Sequence, residues 1–287
     1  MTDSNARQGV FAPPAQTADQ QRMRSRHERA ARAFSVTASG PEAWGCQGRT
    51  LGRRAGRWWL RLVSAPVDKR NARLWEGTAA ADSALPRSVP RPRLHDVTEW
   101  ADDAIVYRAE LSEYIAQPAL QSGGPVLTGD VDLPRSWWGD LGSALAATAT
   151  VPTDRESVRQ NWVDRNFRRF LGIDPVRIRE TTTGHADLHW ANLSRAPLVM
   201  LDWETWGRVP VGYDLGLLHA YSLSAPATAA RIRREFAHVL DTDAGRTGEL
   251  VALAQLLQAC SRGVHPALAP LIAHRAQELT HTPVPTP

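Results

Sequence analysis

With 287 residues, of which 43% are hydrophobic and 22% charged, the chain has enough apolar material for one large domain or two modest ones. Its two cysteines, Cys46 and Cys260, lie far apart and in no C-x-x-C spacing. That excludes a disulfide framework or thiolate zinc site as the basis of the fold and fits a reducing cytoplasm. A net charge of +4 goes with one lysine, Lys69, and with arginines scattered along the whole chain. No aromatic-plus-basic pattern accompanies them, so no nucleic-acid partner is expected.

No apolar run approaches the roughly 18 residues a membrane span needs, and the first residues are polar with no apolar signal core. A soluble cytoplasmic protein without a membrane partner is expected. Residues 1–18 are polar and carry Pro13 and Pro14, which reads as a disordered arm. Residues 19–34 form a charged, Ala-containing helical segment. Gly40, Gly45, Gly48, Gly52 and Gly56 then punctuate a glycine-rich antiparallel hairpin. It leads into a third strand over residues 57–63, rich in aromatic and branched side chains.

Residues 71–84 have helical propensity, and Pro86, Pro90 and Pro92 break the chain after them. Residues 104–111 read as another strand and 112–118 as a connector. From there the pattern is mainly helical, with segments expected over 137–147 and 154–170. The apolar run 197–201 suits a buried strand. Ile232, Phe236, Val239 and Leu240 share a helical face, 250–260 reads as a buried helix, and 267–279 as a last one.

The most chemical stretch is Gly184-His185-Ala186-Asp187-Leu188-His189-Trp190-Ala191-Asn192, followed by Asp202-Trp203-Glu204. Asp187 can orient or deprotonate a hydroxyl, and Asn192 and Asp202 offer hard oxygen ligands of the kind Mg²⁺ takes. The five-position step from Asp187 to Asn192 equals the step between base and metal amide in the kinase pattern H-R-D-x-x-x-x-N. The H-x-D-x-H cluster also admits a metal-dependent hydrolase using His185, Asp187, His189 and Asp202.

Residues 184–221, which include Gly212-Tyr213-Asp214, resemble the catalytic segment of the aminoglycoside phosphotransferase and choline kinase group, distant relatives of protein kinases. The resemblance implies an α+β, bilobal, protein-kinase-like fold: a small antiparallel-sheet N-lobe and a larger helical C-lobe. It implies a nucleotide-binding lobe over residues 19–117 and a catalytic and acceptor-binding lobe over 118–287. It further implies an ATP- and Mg²⁺-dependent phosphotransferase acting on a hydroxyl of a small molecule. In that frame Asp187 is the catalytic base, His185 braces the loop, and Asn192 and Asp202 hold the metal. Asp214 is expected to cap a helix and tie back to the catalytic loop.

Ala186 stands where the group usually has glycine. The third strand carries Arg61 where the group has a phosphate-binding lysine, with Glu76 as its expected partner. Gly45 and Gly48 would cover the phosphates, and Leu111 and Glu113 would offer backbone contacts to the base. Because the lysine is replaced, a nucleotide-binding module with little transfer activity is the alternative. Acidic residues are not in surplus beyond residue 205, with six against seven arginines, which weighs against a polycationic acceptor.

Overall fold

The protein is described by a computed structural model covering residues 11–45 and 47–285. It forms two compact units, one of Met1–Ser83 and Arg91–Ala116, the other of Ala84–Pro90 and Gln117–Pro287. Of the arm expected over residues 1–18, positions 1–10 lie outside the described residues, and helix is already formed at Thr17.

The first unit contains α1 (Thr17–Ala33), β1 (Ser39–Trp44), β2 (Thr50–Ala55) and β3 (Trp58–Pro66). Then follow α2 (Ala72–Trp75), α3 (Gly77–Ala84), β4 (Leu94–Asp102) and β5 (Ile105–Glu113). The strands make one antiparallel sheet in the order β1-β2-β3-β5-β4. A two-residue turn between Ala55 and Trp58 closes the β2–β3 hairpin, with Gly56 at φ +65°, a conformation side chains with a Cβ resist.

Helix α1 lies on one sheet face. Met23, His27, Ala30 and Ala31 recur at helical spacing and are buried, and they meet Leu60, Leu62, Tyr107, Ala109 and Leu111 from β3 and β5. Burying a side chain such as Met23 or Leu60 stabilises the fold by roughly 1.5–3 kcal/mol, so this apolar layer fixes the register of both central strands.

Three readings need correction here. Strand β4 was not foreseen. Its sequence, Leu-His-Asp-Val-Thr-Glu-Trp-Ala-Asp, sits at the sheet edge and is half solvated on both faces, so it lacks an apolar alternation to reveal it. The helix expected over 71–84 breaks at Glu76 into α2 and α3. The connector expected from residue 112 begins later, because β5 continues to Glu113.

The second unit contains α4 (Arg135–Ala149), α5 (Gln160–Leu171), β6 (Thr181–Gly184), β7 (Gly207–Pro210) and α6 (Tyr213–Ala220). It ends with α7 (Pro226–Glu235), α8 (Ala237–Leu240), α9 (Asp243–Cys260) and α10 (Ala269–Thr280). Helix α5 starts later than expected. Residues before Gln160 are instead tied to the segment leading into β7, through Ser157 Oγ to the Thr205 carbonyl (2.6 Å) and Arg208 N to the Arg155 carbonyl (2.6 Å). The helical face of Ile232 to Leu240 bends at Phe236 into α7 and α8. The run 197–201 is extended but pairs only through an isolated Leu193–Met200 bridge.

All eight residues of α6 are buried, and the helix crosses α9 closely. A Cβ at Gly216 would stand 2.8 Å from the Glu249 Cα, so only glycine admits this approach. Strands β6 and β7 pair from Thr181–Pro210 to Gly184–Gly207, and residues 185–206 form the loop between them. Among the described residues no helix is long and apolar enough to cross a membrane.

Candidate active site

The loop between β6 and β7 is held from below by one carboxylate. Asp214, 7% exposed in the first turn of α6, accepts the His185 N–H through Oδ2 (2.7 Å) and the Ala186 N–H through Oδ1 (2.8 Å). The helix cap itself is Gly212 at φ +86°, so Asp214 ties back to the loop without being the N-cap. Burial pushes the Asp214 carboxyl up to about 6, the two N–H donors pull it down, and Asp187 pushes it up again.

His185 is fully buried, and both its nitrogens are engaged. Nε2 donates to the Leu201 carbonyl (2.8 Å), and Nδ1 accepts the Asp187 N–H (3.3 Å). Burial pushes the imidazole down to about 4, which keeps it neutral near pH 7. Thr205 Oγ1 adds a bond to the His185 carbonyl (3.1 Å), and the Trp203 ring lies 4.5 Å from the imidazole. His185 therefore braces the loop and has no lone pair left for a metal or a proton.

Asp187 follows, with its side chain 41% exposed. Burial pushes its carboxyl upward, but the His189 and His185 imidazoles outweigh this and hold it below its ordinary value. It is therefore ionised near pH 7, the state in which a carboxylate accepts a hydroxyl proton.

Asn192 sits in a short 3₁₀ turn, Trp190–Asn192, fixed by a tryptophan cluster. Trp190 stacks on Trp137 (6.3 Å, 13°) and donates to Ser222 Oγ (2.8 Å), and Trp137 donates to the Ser194 carbonyl (3.0 Å). Asn192 Nδ2 donates to the Asp187 carbonyl (3.0 Å), so the nitrogen end of the amide is identified by its partner and Oδ1 points away from that carbonyl. Oδ1 has no hydrogen-bond partner among the described residues.

Leu201 then joins the two halves of the loop. Its N–H donates to the Asn192 carbonyl (2.8 Å), and its own carbonyl takes His185 Nε2. The next residue is Asp202, exposed and at φ +57°, an uncommon conformation for a residue with a Cβ. The Asn192 side chain is thus tied to the Asp187 carbonyl, and the Asn192 carbonyl to Leu201, the residue before Asp202.

This donor set fits Mg²⁺. One amide oxygen without a hydrogen-bond partner and one carboxylate suffice for an ion that keeps several waters and takes phosphate oxygens. It does not fit the zinc-hydrolase alternative. His185 is consumed by the backbone, and no group of three His, Cys, Asp or Glu among the described residues could hold a metal.

In the first unit the sequence-derived residues fare unequally. Arg61 lies on the sheet face opposite α1 and pairs with Glu110 (3.4 Å), its cross-strand neighbour in β5. Glu110 is 4% exposed and also takes Arg108 Nε (2.8 Å), and Arg108 continues to Glu99. Glu76, the expected partner, is exposed at the end of α2. The signal for Glu110 was in the sequence: Arg108 and Glu110, two apart in an otherwise apolar strand, must share a face.

Gly45 and Gly48 turn the β1–β2 loop, with Gly48 N–H donating to the Gly45 carbonyl (3.0 Å). Leu111 is a correction. Its side chain is in the core, and as part of an interior strand it faces Leu60 on one side and Asp96 on the other, so its backbone groups serve the sheet. Glu113 ends the strand, its N–H on the Arg93 carbonyl (2.9 Å) and its carboxylate on the Arg93 N–H (3.1 Å).

No family model matches the chain, and no curated protein matches it in sequence. Solved structures do match it in fold. A thermostable mutant of the aminoglycoside phosphotransferase APH(4)-Ia, apo form, matches with TM-score 0.60 and 12% identity over 89% of this chain and 100% of that one. The amicoumacin kinase hAmiN, in complex with AMP-PNP, Ca²⁺ and Ami, matches with TM-score 0.52 and 11% identity over 93% and 97%. A microcompartment-associated aminopropanol kinase matches with TM-score 0.52 and 14% identity over 88% and 95%. The chain has the protein-kinase-like α+β fold of these small-molecule phosphotransferases.

Proposed function

We propose that the protein is an ATP- and Mg²⁺-dependent phosphotransferase that moves a phosphoryl group to a hydroxyl of a small molecule. One observation carries this reading. A single loop, clamped by Asp214, holds an ionised and half-exposed Asp187, and Leu201 sets Asn192 beside Asp202 in that loop.

Asp187 aligns the acceptor hydroxyl and takes its proton as the hydroxyl oxygen bonds to the terminal phosphorus. The bond from that phosphorus to its bridging oxygen breaks, and a nucleoside diphosphate leaves. Asn192 Oδ1 and the Asp202 carboxylate would hold Mg²⁺, which would neutralise phosphate charge. His185, Asp214 and Thr205 keep the loop from reorganising, which is where fixed groups gain their catalytic value. In the first unit Arg61 and the Gly45–Gly48 turn are proposed phosphate contacts, and the Glu113 strand end is a proposed contact for the base.

The test is an ATP-consumption screen over pooled sugars, alcohols, hydroxy acids and aminoglycosides, with Asp187→Ala as control. Turnover of the accepted compound should fall by about 10²- to 10⁴-fold in that variant while nucleotide still binds. Near-normal turnover would refute the role of Asp187. The second reading, a nucleotide-binding module without transfer, is favoured by the Arg61–Glu110 pair occupying the lysine position. Tight binding of a fluorescent ATP analogue without ADP release on any acceptor would establish it.

A further inference from the structure

Asp202 has left-handed backbone, φ +57° and ψ +66°, a conformation that persists only where the chain on both sides is fixed. On one side Leu201 is bonded through both backbone groups. On the other side the chain passes through the short turn Trp203–Thr205 to Trp206. Trp203 is tied locally, its Nε1 donating to the Met200 carbonyl (2.9 Å). The next three carbonyls are taken by two side chains from the segment ahead of α5. Arg155 Nη2 donates to the Glu204 carbonyl (3.2 Å), Ser157 Oγ to the Thr205 carbonyl (2.6 Å) and Arg155 Nε to the Trp206 carbonyl (3.2 Å).

The Arg155 guanidinium also lies over the buried Trp206 ring, 5.2 Å from its centre, so packing as well as hydrogen bonding sets the direction of its planar fork. The main chain of the same segment is docked too. Arg208 N–H donates to the Arg155 carbonyl (2.6 Å), and Ser157 N–H to the Arg208 carbonyl (3.0 Å). Gly207 admits this approach, because a Cβ there would overlap the Arg155 carbonyl and stand 2.6 Å from Ser157 Oγ. Thr205, whose carbonyl Ser157 holds, passes the constraint on: its Oγ1 donates to the His185 carbonyl (3.1 Å). One brace therefore reaches both arms of the loop that carries Asp187 and Asp202.

We infer that Arg155 and Ser157 are positioning residues for Asp202: by holding three successive carbonyls they keep its backbone in the left-handed conformation from which its carboxylate would serve Mg²⁺. Their role rests on the proposed function of Asp202 as a metal ligand. Neither side chain needs to touch metal or nucleotide. Without their donors the Trp203–Thr205 turn is free to relax, and the strained Asp202 relaxes with it. The loss then falls on metal affinity before it falls on nucleotide contacts, as it does for other outer partners of metal ligands.

The experiment titrates a fluorescent ADP analogue into the protein with and without Mg²⁺. The ratio of the two affinities reads the metal site, apart from stability and from direct nucleotide contacts. Arg155→Met keeps an apolar stem on Trp206 and removes both donors, and Ser157→Ala removes one hydroxyl. Arg208→Met is the control, since it breaks only the neighbouring surface pair with Glu156 (2.7 Å), and Asp202→Ala marks complete loss of the ligand. Urea midpoints confirm that each variant is folded, and if Arg155→Met is not, Ser157→Ala decides alone. The expected result is a ratio lowered about tenfold in Arg155→Met and about threefold in Ser157→Ala, with metal-free affinity unchanged and Arg208→Met like the wild type. A ratio unchanged in Arg155→Met and Ser157→Ala but lost in Asp202→Ala would overturn the positioning role alone. An equal loss in Arg208→Met would assign the effect to general loosening and overturn it too. A ratio unchanged in Asp202→Ala would overturn the metal reading of that residue, and the proposal with it.

Discussion

Two residues of the loop between β6 and β7 hold left-handed backbone without being glycine: Ala186 at φ +66° and Asp202 at φ +57°. For a residue with a Cβ this conformation costs roughly 1–2 kcal/mol. It persists at Ala186 because Asp214 grips the N–H groups of both His185 and Ala186, and at Asp202 because both backbone groups of Leu201 are bonded. Ala186→Gly removes the steric cost but adds about 0.4–1 kcal/mol of chain entropy in the unfolded state. The expected outcome is a gain of up to about 1 kcal/mol in urea unfolding. A clear loss would show that the Ala186 methyl makes a contact worth more than its strain. Asp187 follows this strained turn, which presents its half-exposed carboxylate.

At the scale of elements, the carboxylate clamp depends on how closely α6 approaches α9. Glycines make that crossing: Gly216 faces the Glu249 backbone, and a methyl at Gly248 would overlap the Val211 carbonyl and stand 2.7 Å from the Tyr213 nitrogen. Gly248→Ala must therefore push the start of α6 off α9 and move Asp214 with it. Overpacking of this kind costs roughly 1–3 kcal/mol, and turnover should fall further than stability because the loop loses its anchor. Unfolding midpoints and turnover measured together would check this, and a variant with wild-type values of both would sink the idea. Legibility in the sequence divides along the same line. Asp187, Asn192 and Asp202 are close in the chain, so spacing alone proposes them as a set, and glycines with a run of aromatic and branched residues marked the hairpin and third strand. Half-solvated β4 has no apolar alternation to mark it, while the meeting of Arg61 with Glu110 and the delayed start of α5 are decided by cross-strand pairing and tertiary hydrogen bonds. Those two contacts join residues far apart in the chain, so local spacing shows that Arg108 and Glu110 share a face but not that Arg61 meets them.

At the scale of the whole molecule, two buried carboxylates give the helical unit opposite responses to pH. Glu249 in α9 is fully buried and collects His219 Nδ1 (3.1 Å) from α6, Arg233 (2.9 Å) from α7 and Arg275 (2.8 Å) from α10. Burial pushes its carboxyl up, but the His219 and Arg275 bonds outweigh this and hold it down at about 2, against an ordinary 4.5. Its folded value is depressed, so its stabilisation is complete above about pH 4.5 and is lost as pH falls toward 2. Asp214 runs the other way. Burial raises its carboxyl from 3.8 to about 6, so the folded state binds the extra proton between those values and stability falls as pH rises through that window. Together the two groups favour stability near pH 4 to 4.5, with a decline on either side. Glu249→Gln should remove the acid limb, and by stranding Arg275 and Arg233 it should cost roughly 3–5 kcal/mol at neutral pH. Asp214→Asn should flatten the decline between pH 4 and 6. Urea midpoints of the protein and both variants, taken from pH 3 to 8 and compared as differences, separate the two contributions. If the Asp214→Asn difference stayed constant from pH 4 to 6, the raised Asp214 carboxyl would be refuted while the Glu249 limb still stood on its own.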